Sequence, residues 1–66
     1  MLRYAVYKKI KKTKRSNNEI YINDCLMLAA FLNLNDALCY AITEESRTPA
    51  VEFFILDTVM NVIVKN

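Results

Sequence analysis

The sequence predicts a small α+β domain of order ββαββ, with one amphipathic helix packed on a four-stranded, mostly antiparallel sheet. Three observations carry that expectation. Near the start, Leu2, Tyr4, Val6 and Ile10 alternate with Arg3, Ala5, Tyr7, Lys9 and Lys11, the period of a half-buried strand. In the middle, Leu34, Ala37, Leu38, Ala41 and Ile42 fall at i, i+3, i+4, i+7 and i+8, the apolar stripe of a helix. Beyond Pro49, two β-rich runs follow one another, joined by a short turn through Thr58–Asn61. A chain of 66 residues has room for a single domain, 1–66.

The first strand is expected over about residues 2–11. The polar run Lys12–Asn18 then reads as a hairpin turn, and because the chain has no glycine, Asn17 and Asn18 are the candidates for left-handed positions. Glu19, Tyr21 and Asn23 alternate with Ile20 and Ile22 and begin a returning strand. The apolar run Cys25–Leu32 fits either a strand with apolar side chains on both faces or a helix capped by Asp24. Its eight residues suit a strand better, although Leu26, Met27, Leu28, Ala29 and Ala30 all favour helix on propensity.

For the helix, Asn33 or Asn35 is available as N-cap, with Asp36 in the first turn. It must stop by Ser46–Thr48, since the residue before Pro49 is pushed out of the helical region. Val51–Asp57 and the C-terminal NVIVK are the last two strands, joined through Thr58–Asn61, where Asn61 can take a left-handed turn position.

Composition removes several function classes. With no glycine there is no glycine-built phosphate loop, and with no histidine the commonest general base and metal ligand are gone. Ser16, Ser46 and Cys39 lack an evident activating base. Glu44 and Glu45, adjacent on a helix, point about 100° apart and do not converge on one site. Cys25 and Cys39 cannot complete a tetrahedral metal set, and Asp24, Asp36 and Asp57 lack calcium-loop spacing. We therefore expect no enzyme, no catalytic residue, no metal, no cofactor and no small-molecule substrate. The two cysteines are expected to stay reduced. Without a 20-residue apolar segment or a signal-peptide pattern, no membrane span is expected, and a cytoplasmic location is.

The net charge of +2 hides a segregation: residues 1–18 hold seven basic side chains and no acid, and residues 19–66 hold two basic and seven acidic ones. The cluster Lys8, Lys9, Lys11, Lys12, Lys14 and Arg15 is the candidate partner-binding element. It suits an acidic protein surface or, alternatively, a phosphate backbone with Tyr4, Tyr7 or Tyr21 for stacking; the plain alternative is a solvated tip that keeps the domain soluble. Asp36, Glu44, Glu45, Glu52 and Asp57 form a sparse acidic set that could mimic a phosphate row.

One helix can cover one face of a sheet, yet Cys25–Leu32 and Val51–Leu56 carry apolar side chains on both. The surplus predicts self-association as a two-fold dimer, by sheet packing or edge pairing, with Met27, Phe31, Phe54 and Leu56 as candidate contacts.

The succession AAFLN, NLNDALCYAI and VEFFILD, with Leu34, Ala37, Leu38 and Ala41 in an L-x-x-A-L-x-x-A helix, resembles very small strand–helix–strand proteins of bacteriophages and mobile elements, inhibitors of host RNA polymerase among them. The likeness covers 25 to 30 residues and transfers no functional residue. It implies a product that binds a host macromolecule, by protein contact, by nucleic-acid contact, or as a structural subunit of a larger assembly.

Overall fold

The computed structural model describes residues 2–10 and 25–65; the expected hairpin turn and the returning strand Glu19–Asn23 lie outside them. The chain runs β1 (Tyr4–Lys9), β2 (Cys25–Phe31), α1 (Leu34–Arg47), β3 (Phe53–Asp57) and β4 (Val62–Lys65). All neighbouring strands are antiparallel, in the spatial order β2-β1-β3-β4. This is the expected ββαββ α+β fold, and the ambiguous run Cys25–Leu32 is strand to Phe31.

The central pair sets the frame. β1 and β3 run in unbroken register from Tyr4 opposite Asp57 to Lys8 opposite Phe53. Val6 and Ile55, directly opposed, are fully buried beneath α1 against Ala37 and Ala41. Burying two such side chains stabilises the fold by about 1.5–3 kcal/mol each. Two alanines at the centre of the helical stripe let its backbone approach the sheet closely, while Tyr4, Phe31, Leu34, Leu38 and Tyr40 pack around them. Ile42, expected in that stripe, is exposed. It lies one residue, hence about 100°, past Ala41 and so on the flank, whereas Tyr40 turns inward to meet the Phe31 ring at 5.5 Å.

Local chemistry fixes the ends of α1. The Asn33 side chain accepts a hydrogen bond from the Asp36 N–H at 3.0 Å, leaving one fewer open donor in the first turn. At the other end, the Thr48 N–H and hydroxyl both donate to the Glu44 carbonyl, and Pro49 prevents continuation. Asn61 makes the β3–β4 turn with φ of 55°, the left-handed position expected of it in a chain without glycine.

Both outer strands carry a bulge. Val6 faces Ala29 while Tyr7 faces Met27, so Leu28 is an extra residue in β2. Leu56 faces Ile63 while Ile55 faces Lys65, which makes Val64 the extra residue of β4.

Candidate interaction surface

Opposed residues of an antiparallel pair share a face, so the bulge at Leu28 decides where the apolar side chains of β2 go. Phe31, opposite Tyr4, lies on the helix side and packs on Tyr40. Met27, opposite Tyr7, lies on the far side and is 54% exposed. Strict alternation along Cys25–Phe31 would put Met27 and Phe31 on one face; the bulge puts them on opposite faces. On the far side, Phe54 stacks on Tyr7 with ring centroids 5.1 Å apart and planes within 5°. Phe54 and its neighbour Ala5 are each only 2% exposed, and Leu56 is half-buried. The centre of the far face is therefore not bare, although the single helix lies on the other face.

Exposed apolar side chains occur along β2 and its end, at Leu26, Met27 and Leu32, and in their longest run at the β4 end. Val59, Met60, Val62, Ile63 and Val64 are between 39% and 63% exposed. They form a ridge along the outermost strand and its turn, where the outer edge of β4 has no neighbouring strand among the described residues. Sequence reasoning passed over this element because it took NVIVK as the closing arm of a hairpin. The signal was present: residues 59–64 read VMNVIV, β-rich, without charge or proline, the composition of a segment that pairs readily when exposed at an edge.

The charges resolve differently from their order along the chain. Arg3 pairs with Asp57 at 2.8 Å, Lys9 with Glu52 at 2.9 Å, Arg47 with Glu44 at 3.4 Å and Lys65 with Glu45 at 3.3 Å. Four of the five acids proposed as a phosphate-like row are thereby matched by cations, each in a separate place. Arg3, Lys8, Lys9, Arg47 and Lys65 balance Asp36, Glu44, Glu45, Glu52 and Asp57, so the described part is neutral overall. The chain's net charge comes from Lys11, Lys12, Lys14 and Arg15 against Glu19 and Asp24. Of the candidate basic cluster, Lys8 and Lys9 are consecutive in β1 and project to opposite faces, and Lys9 is engaged by Glu52. Lys11, Lys12, Lys14 and Arg15 lie outside the described residues.

No family model, curated protein or solved structure matches the chain.

The remaining features are modest. An open groove of about 360 Å³ lies between Glu45 of α1 and the segment Pro49–Phe54, with Lys9 and Glu52 on its wall. Cys25 and Cys39 are not joined to each other, and no group of three or more metal-ligating side chains occurs among the described residues. No helix of the described residues is long and apolar enough to cross a membrane. The Asp57 carboxyl is held well below its ordinary range, at about 2, chiefly by the hydrogen bonds from Arg3, with help from the Met60 and Val59 N–H groups. That pairing raises the Arg3 guanidinium in turn.

Proposed function

We propose that this protein is a non-enzymatic binding module that modulates a macromolecule by covering part of its surface, as the small phage and mobile-element proteins it resembles do. The observation that carries the reading is the apolar ridge Val59–Val64 at the sheet edge. A domain this small gains little by leaving five large apolar side chains in water along one sheet edge, and an exposed, uncharged edge strand is a ready template for pairing. The basic side chains Lys11, Lys12, Lys14 and Arg15 complement the ridge: they speed encounter with an acidic partner, and the ridge supplies the contact that excludes water.

The test is affinity capture from the native host with two baits, the unaltered chain and the double variant Val62→Lys/Val64→Lys, both checked for native circular dichroism. A specific protein retained by the first bait and lost from the second is expected; equal retention by both removes the ridge from the reading. Nucleic-acid binding through the basic segment is the rival outcome. Its mark is affinity that falls steeply between about 50 and 200 mM salt in titrations with duplex and single-stranded probes.

A further inference from the structure

In the free protein the ridge is suited to one occupant in particular, and resting on the reading above we propose that, until a macromolecular partner displaces it, the ridge takes the ridge of a second copy, β4 pairing antiparallel with β4 of its partner about a two-fold axis near Ile63. Strand geometry comes first. Antiparallel pairing of a strand with itself is two-fold symmetric, so it closes at two copies, whereas pairing β4 with the β2 edge of another copy would leave free edges and continue. Each of the two edges carries one bulge, at Leu28 in β2 and at Val64 in β4, so the choice between them rests on this symmetry.

Charge gives the second argument. Residues 58–64 contain no charged side chain, so two identical edges meet without repulsion. A centre at Ile63 sets Lys65 of one copy opposite Asn61 of the other and keeps the two lysines apart. Lys65 is already held by Glu45 of its own helix, which draws the one cation of β4 away from the seam.

Burial gives the third. Ile63 lies opposite Leu56 on the far face, and across the axis it would meet its own counterpart, with Val62 and Val64 of the two copies facing each other on either side. Pairing would thus cover three of the five exposed apolar side chains of the ridge and extend the four-stranded sheet to eight strands.

The experiment is sedimentation equilibrium of the unaltered chain over micromolar concentrations, together with Ile63→Lys and Ile63→Glu, each verified as folded by circular dichroism. A closed dimer is expected for the unaltered chain, weakened more than about tenfold in either variant, where like charges become direct neighbours. An equimolar mixture of the two folded variants is expected to regain a heterodimer, since opposite charges then face each other. Should Ile63 variants unfold, Val62→Lys mixed with Val64→Glu tests the same pairing, because Val62 of one copy meets Val64 of the other and the mixed dimer sets the two opposite charges together. A folded monomer throughout, open-ended polymer, or no heterodimer in the mixture overturns the proposal. Any of these leaves the capture experiment unaffected, so loss of the self-pairing inference is distinguishable from loss of the binding reading.

Discussion

Arg3 and Asp57, 54 positions apart, are joined by two parallel hydrogen bonds, Nε to Oδ1 at 2.9 Å and Nη2 to Oδ2 at 2.8 Å. The same carboxylate accepts from the Val59 and Met60 N–H groups, and the Arg3 carbonyl accepts from both the N–H and the hydroxyl of Thr58. One salt bridge therefore fastens the N-terminal arm, the end of β3 and the turn that carries the ridge. Asp57→Asn is expected to lower the urea midpoint more than Lys9→Ala does. The Lys9–Glu52 pair is largely exposed and contributes less than about 1 kcal/mol, which denaturant titration of both variants will rank.

Acid should expose the same dependence. Because the folded-state value of Asp57 is depressed from 3.8 to about 2, its stabilising contribution is complete above the unfolded value and is lost as pH falls from about 4 to about 2. Thermal melts at stepped pH are expected to show a declining acid limb in the unaltered chain and a flatter one in Asp57→Asn. Identical limbs would count against this pairing.

The buried centre has little room for loss. Ile55→Ala removes a fully buried side chain opposite Val6 and is expected to cost about 2–5 kcal/mol, against about 0.5–1.5 kcal/mol for Ile55→Val. In a domain of this size the larger figure rivals the whole stability, so Ile55→Ala is expected to be substantially unfolded at 37 °C by circular dichroism.

At the helix start, Asn33→Ala removes the acceptor for the Asp36 N–H and should cost about 0.5–2 kcal/mol, with Asn33→Asp close to neutral. At the β4 turn, Asn61→Gly should be tolerated while Asn61→Val loses about 1–2 kcal/mol, since a β-branched residue resists a φ of 55°. Chemical denaturation of the four variants checks both.

Most of the fold was legible because its elements obey simple periods. The helix declared itself through Leu34, Ala37, Leu38 and Ala41, its cap through Asn33, its end through Pro49, and the final turn through Asn61. What could not be read was where period two breaks. An extra residue such as Leu28 leaves no mark in composition, and strict alternation would put Met27 and Phe31 on one face when they occupy two. The pairing of charges was equally hidden, since Arg3 and Asp57 lie at opposite ends of the chain and meet only when β1 and β3 align. The ridge was visible as an uncharged run, but its exposure depends on β4 being outermost, which is a property of strand order and not of the segment itself.

Both departures from regular register fall on the outer strands, while the inner pair is uninterrupted from Tyr4 to Lys8. Each outer strand has already absorbed one additional residue without disturbing the buried centre. Single-residue insertions and deletions there would reassign the side chains beyond them from one side of the sheet to the other, leaving Val6 and Ile55 in place. In lineages descending from such a chain, the contact surface can therefore be rewritten by changes in length as well as by substitution, at a rate uncoupled from that of the core.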